Sequence, residues 1–203
     1  MTNAVNVEFI VEKLLTFLST ATDDHFRTDL VGQITQCAER FAPSNAWYVQ
    51  TIIRVFELAG DKVKPSVAQT LTQLIAEGSE AAEDEEADRP DDELSPDDEL
   101  RTEAVENFLD LMVRPKLPEV LAQAVAWVLG EYGYLATSCS LEVIMEKLCA
   151  LTLQCTDPLT KAHVVSAISK LVAQNGGCPS KVYAFMDRYS RSMSLDVQQR
   201  CME

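Results

Sequence analysis

Histidine is almost missing from this chain, with two residues among 203. His25 and His163 fall in different predicted helices, and neither has a Cys, His or Asp neighbour at metal-ligand spacing. The six cysteines, Cys37, Cys139, Cys149, Cys155, Cys178 and Cys201, are scattered and include no CxxC pair. They read as buried or partly buried free thiols, which implies a reducing, cytosolic compartment. No nucleophile elbow, glycine-rich phosphate loop or H-E-x-x-H run occurs. Gly176-Gly177 is too short to cradle a phosphate and reads as a helix terminator. The expectation is therefore a protein that is not an enzyme, with no catalytic, cofactor-binding or metal-binding residues and no cofactor.

Positive charge is also scarce, at 17 Lys and Arg against 32 Asp and Glu, a net −15. With no basic stripe interleaved with aromatics, nucleic acid is excluded as a partner. Most of the imbalance is local. Between Glu77 and Leu100 there are 13 acids and one base, Arg89, a net −12 that leaves only −3 for the rest. Those acids lack the apolar neighbours that raise a carboxyl pKa and the glycine-centred spacing of a calcium loop. The stretch 79–95 reads as a solvated, self-repelling insert, disordered because it cannot bury enough apolar area to offset ordering entropy. Long apolar runs are missing as well. Hydrophobic residues make up 47% of the chain, yet none of their runs approaches the roughly 18–20 residues that span a bilayer. The opening Met1-Thr2-Asn3-Ala4-Val5-Asn6 has neither the basic residues nor the apolar block of a signal peptide.

What the chain does have is helical periodicity nearly throughout, without an alternating β-branched run that would make a strand. Val7, Ile10, Val11, Leu14, Leu15 and Leu18 recur on one face of a first helix over about 6–18. A second opens at the cap Asp23, carries Phe26, Leu30, Ile34, Cys37 and Phe41, and stops at Pro43. The third starts at Ser44 or Asn45 and ends at Gly60; the fourth opens on Pro65 and ends at Gly78. Ser95-Pro96-Asp97-Asp98 supplies a cap, a first-turn proline and two acids at the positive end of a fifth helix. The sixth, over about 118–134, is among the most apolar segments. A seventh follows Ser140, an eighth opens at Asp157-Pro158, a ninth follows Pro179, and a tenth begins at Ser194 and runs out at the chain end.

The first members of successive pairs start near residues 6, 45, 97, 141 and 180, a period of about 40 once the acidic insert is subtracted. That is the length of a two-helix HEAT or armadillo unit, whose apolar face is buried only by stacking on its neighbours. Short Gly, Pro, Ser and Asp junctions make consecutive helices antiparallel. The fold class is all-α, an α-α superhelix of about ten helices in antiparallel pairs. Its parts are helical repeats at 1–78, the acidic insert at 79–95 and helical repeats at 96–203, forming one continuous solenoid fragment whose last helix is truncated. Such a row works by presenting surfaces to other proteins. A general HEAT-repeat hub, a transport receptor or phosphatase-type scaffold, is the competing reading, but the ladder of inward Asp, Glu or Trp residues those proteins carry is not visible here.

Trp127-Val128-Leu129-Gly130-Glu131-Tyr132-Gly133-Tyr134 is the most distinctive run. Glycine inside a helix costs roughly 1 kcal/mol relative to alanine, so Gly130 implies close approach of a neighbouring helix. Glu131 is placed to accept hydrogen bonds from amides of an adjoining turn, and Trp127 and Tyr134 to bury large area. The whole of Ala126 to Leu135 resembles the W-x-x-G-E-Y signature of adaptin trunks. Ala42-Pro43-Ser44-Asn45-Ala46-Trp47-Tyr48-Val49-Gln50-Thr51 is similar to their A-P-x-x-x-W-x-x-x-T segment, and Ser194-Leu195-Asp196-Val197-Gln198-Gln199-Arg200 to a helix start late in the trunk. The opening residues to Val7 are similar to epsilon-type large subunits of the fourth adaptor complex, although gamma and alpha adaptins share much of the pattern.

The resemblance marks Trp47, Trp127, Gly130, Glu131 and Tyr132 as structural signature residues. It implies a trunk fragment of a large subunit of a heterotetrameric vesicle adaptor, a curved solenoid that holds the small and medium chains and the second large chain. It also implies a role in intracellular protein transport, with a cytoplasmic location and peripheral attachment to trans-Golgi or endosomal membranes and coated vesicles through the complex only. The acidic run from Glu77 to Leu100 matches nothing in the family pattern.

Overall fold

The computed structural model describes residues 2–78, 95–114 and 116–202. The insert expected at 79–95 thus lies outside the described residues, apart from Ser95. Among the described residues there are ten α-helices and no strand, as the periodicity requires. They form two compact units, Met1–Leu100 and Arg101–Glu203.

In the first unit, α1 (Val7–Thr20), α2 (Asp24–Phe41), α3 (Asn45–Ala59) and α4 (Pro65–Glu77) follow one another through short junctions. α1 packs on α2 and α3, α2 on α3, and α3 on α4. The stripe of α1 delivers Val7, Val11, Leu15 and Leu18 to a core shared with Ile34, Ile52, Phe56, Leu71 and Ile75, all buried. Each such side chain contributes roughly 1.5–3 kcal/mol of burial, which is why the pairing of stripes dominates local propensity. Caps fix the entry angles. Asp23 accepts the Phe26 N–H at 2.7 Å, and Ser44 accepts the Trp47 N–H at 3.2 Å. Gly60 ends α3 at φ 58°, and Gly78 ends α4 at φ 72°. Phe26, expected on the apolar stripe of α2, is instead half exposed. It sits in the first turn of α2, one residue before Arg27.

Arg27 ties the first three helices together. Its guanidinium donates to the Leu18 and Ala21 carbonyls at 3.0 Å each and also to the Leu58 carbonyl. Carbonyls at the ends of α1 and α3 have no intrahelical donor, so one planar cation satisfies two helix C-termini at once. At the far end of the unit, Asn45 donates to the Gly78 carbonyl at 3.2 Å. A Cβ on Gly78 would lie 2.3 Å from the Asp97 Cγ. The two flanks of the acidic stretch, at Gly78 and Asp97, therefore meet.

α5 (Pro96–Leu111) opens with Ser95 accepting the Asp98 N–H at 3.1 Å and runs into the second unit. There α6 (Glu119–Tyr132) is followed by a 3-10 turn (Gly133–Leu135), α7 (Leu141–Gln154), α8 (Pro158–Asn175), α9 (Ser180–Tyr189) and α10 (Leu195–Met202). α8 is the hub, packing on α6, α7 and α10, while α9 packs on α7 and α10. Asp157 caps α8 through the Leu159 and Thr160 N–H groups, and Gly176 ends it in the left-handed region at φ 69°. The sixth helix stops at Tyr132, two residues short of its expected end, because the chain tightens into the 3-10 turn at Gly133. A small cluster of Ala162, Val165 and Val197, covered by Phe185, Met186, Tyr189 and Cys201, seats α9 and α10 on α8.

Candidate functional site

Among the described residues no group of three or more His, Cys, Asp or Glu could hold a metal ion. His25 is exposed beside Asp29 at 3.7 Å, and His163 spends its Nδ1 on the Leu159 carbonyl at 2.9 Å within α8. Cys155 is buried, and Cys37, Cys139, Cys149 and Cys201 are partly covered. Cys178 departs from the expectation of a covered thiol: it is exposed, at the junction before α9. Burial pushes the Cys149 and Cys155 thiols up to about 11, so neither is a nucleophile at neutral pH.

The structured feature is the seam between α6 and α8. Gly130 lies where α8 crosses, and a Cβ there would stand 2.9 Å from both the Cα and the Cβ of Ala167. The close approach inferred from a helical glycine is therefore present. Gln174 donates to the Gly130 and Glu131 carbonyls at 3.2 and 3.3 Å, locking the two helices at the end of α6. Tyr132 meets Trp127 edge to face at 6.0 Å, and the Arg101 guanidinium stands 5.2 Å over the Tyr132 ring. Trp127, Gly130, Glu131 and Tyr132 are thus one local assembly. Trp47 belongs to the first unit, half buried in the first turn of α3.

Two expectations for this segment need correction. Trp127 is only half buried, and Tyr134 is 57% exposed, because it falls in the 3-10 turn beyond the helical stripe. Glu131 does not cap a turn; it pairs with Lys170 of α8. Turn capping falls to two carboxylates that the sequence reading passed over. Glu106 of α5 accepts the Thr137 N–H at 2.7 Å, the Thr137 hydroxyl at 2.9 Å and the Ser138 N–H at 3.0 Å. Glu119, at the start of α6, accepts the Thr156 N–H at 2.7 Å, the Thr156 hydroxyl at 2.8 Å and the Asp157 N–H at 3.3 Å.

Each carboxylate thus anchors the junction before a later helix. For Glu106, partial burial raises the pKa, but the donors from Ser138 and Thr137 outweigh it and hold the carboxyl down at about 2. Glu119 is lowered by the same balance. The signal that could have found them is an acid 31 to 38 residues before a Thr-Ser or Thr-Asp junction, a spacing visible only once the repeat length is known.

Exposed apolar side chains gather on particular elements. Phe9 and Phe17 stand on one face of α1 with the Lys13 ammonium 5.5 Å over Phe9, and Tyr183, Met193 and Leu195 protrude from the α9–α10 end of the second unit. Along with the helical flanks, these are surfaces rather than pockets. No helix among the described residues is long and apolar enough to cross a membrane.

Residues 1–85 match the adaptin N-terminal region. The entire chain aligns with "AP-4 complex subunit epsilon" of Arabidopsis thaliana at 37% identity over 210 residues, covering 21% of that protein. It aligns with "AP-4 complex subunit epsilon-1" of Mus musculus at 34% over 209 residues, covering 17% of it. Identity to "AP-1 complex subunit gamma-like 2" of Mus musculus is 27% over 216 residues, covering 24%. The chain spans about a fifth of the length of these curated relatives. The helical stack and these alignments agree: the chain belongs to the adaptin family of adaptor-complex large subunits.

Proposed function

We propose that this chain is a scaffold segment of an epsilon-type large subunit in a vesicle-coat adaptor, binding partner subunits in intracellular protein transport. The observation that carries the reading is the alignment of all 203 residues with AP-4 epsilon subunits at 34–37% identity, well above the 27% for a gamma-type relative. The architecture supports it. Amphipathic pairs bury their stripes against one another, and carboxylates fix their junctions, so the outer flanks are held rigid and left open for other polypeptides. The repeats at 1–78 and 96–203 serve as one scaffold, with the acidic stretch an insertion between them.

The partners are the small and medium chains and the second large chain of a heterotetramer. The protein acts without a cofactor, in the cytoplasm and peripherally on trans-Golgi or endosomal membranes, held there through the complex. Co-expression of the full large subunit with the other three chains, followed by size-exclusion chromatography, tests this. Co-elution of all four is expected; a folded large subunit that never co-elutes with any of them sinks the reading.

A further inference from the structure

The chain has few asparagines, and Asn3, Asn6, Asn45 and Asn107 each precede a residue that carries a side chain. Asn175 alone precedes a glycine. It is the last residue of α8, and Asn175, Gly176, Gly177 and Cys178 are all exposed. Gly176 turns into the left-handed region at φ 69° and ψ 12°, and a Cβ there would meet no atom within 4 Å, so the space beside it is open. Its N–H closes α8 on the Ala173 carbonyl, three residues back, at 3.3 Å. Ala21, Gly78 and Ser190 close α1, α4 and α9 on carbonyls four residues back, at 2.8, 3.0 and 2.8 Å. The Gly176 amide is thus held by the longer bond, at a helix end, where backbone bonds open most readily. Asn175 Nδ2 donates to the Gly177 carbonyl at 3.0 Å, which turns the carboxamide forward along the chain toward the Gly176 peptide.

We infer that Asn175 is a site of spontaneous covalent modification, in which the Gly176 backbone nitrogen attacks the Asn175 carboxamide and converts the residue to aspartate and isoaspartate. The Gly176 N–H gives its proton to solvent hydroxide, and the nitrogen adds to Asn175 Cγ. The Cγ–Nδ2 bond breaks, and Nδ2 leaves as ammonia with a proton taken from water, which closes a succinimide ring. Water then opens the ring: attack at Cγ gives aspartate, and attack at the main-chain carbonyl carbon gives isoaspartate. Overall, water enters and ammonia leaves, and no oxidant, metal or enzyme takes part. Glycine after the asparagine favours closure because, with no Cβ, its nitrogen is unshielded and its backbone reaches the conformation the ring needs. Both products place a carboxylate at the C-terminus of α8, the end of a helix that disfavours negative charge, and both remove the donor to Gly177. Isoaspartate also lengthens the main chain by one carbon where α8 leads into α9. The inference stands independently of the scaffold reading.

The test incubates the intact full-length protein at physiological temperature, at neutral and at mildly alkaline pH, and follows its peptides by mass spectrometry. The peptide holding Asn175 is expected to gain about 1 Da, to separate into aspartate and isoaspartate forms, and to do so faster as pH rises. The peptides holding Asn3, Asn45 and Asn107 are the internal references and should change more slowly. Asn175→Gln should lose the conversion, and Gly176→Ala should slow it roughly tenfold or more. Methyl transfer to the new carboxyl by an isoaspartate-specific methyltransferase identifies the second product. A native Asn175 that converts no faster than the reference asparagines overturns the inference. Aspartate as the sole product also overturns it, because a succinimide opens in both directions; that readout needs no variant and holds if Gly176→Ala misfolds. Conversion of a folded Gly176→Ala at the wild-type rate removes the Gly176 nitrogen as the attacking group and overturns it equally.

Discussion

The Gly130 Cα faces the backbone of Ala167 so closely that an added Cβ would stand 2.9 Å from the Ala167 Cα. The obstacle is backbone rather than the tip of a flexible side chain, so relief requires α6 and α8 to move apart. Gly130→Ala is therefore expected to destabilise the second unit by about 1–3 kcal/mol, the usual cost of overpacking, despite the better helix propensity of alanine. Thermal unfolding followed by circular dichroism measures it. An unchanged or higher melting temperature would mean the seam is looser than its geometry.

Gly32→Ala should do the opposite. With no atom within 4 Å of the new methyl group, only the propensity gain of up to about 1 kcal/mol remains. The same chemical change thus carries opposite signs at two helical glycines. A denaturant melt of both variants checks the pair, and a destabilised Gly32→Ala would contradict the open space beside it.

Glu106 sets a pH dependence whose sign follows from its depressed pKa. Folded, the carboxyl titrates at about 2; released from Thr137 and Ser138 it returns toward 4.5. Its contribution is complete above 4.5 and fades as pH falls through the interval down to about 2. Glu106→Gln should lose stability at pH 7 and show a flatter decline between pH 5 and 2 than wild type. Parallel declines for the two proteins would remove Glu106 from the junction.

Thiol reactivity should rank by cover. Cys178 is exposed, whereas Cys155 is buried and, like Cys149, pushed up to about 11. A limiting amount of maleimide reagent at pH 7 is expected to label Cys178 first and Cys155 only on unfolding, as read by peptide mass spectrometry. Early labelling of Cys155 would show that the α7–α8 junction opens in the native state.

The ten helices could be read from residue type alone because each stripe repeats at three or four residues and each end carries its own chemistry, such as Asp23, Ser44, Gly60 and Gly176. The need for a close neighbour at Gly130 was legible too, since an unfavourable helical glycine demands a reason. Its partner was not: Ala167 lies 37 residues on and is unremarkable in sequence. The role assigned to Glu131 went to Glu106 and Glu119 because a carboxylate's partners depend on which turn the next repeat brings within 3 Å, and here Lys170 reached Glu131 first. Tyr134 is polar-tipped and aromatic either way; only the 3-10 turn after Tyr132 sends it outward.

By itself the sequence determined that this chain is helical, arranged in repeating pairs and akin to adaptin trunks, because periodicity, caps and motifs are local and survive without neighbours. Only the tertiary structure decided which glycine is filled and which stands open, and which carboxylate holds which junction. Those outcomes depend on distances between residues 30 to 40 positions apart, and such distances exist only after the stripes have packed.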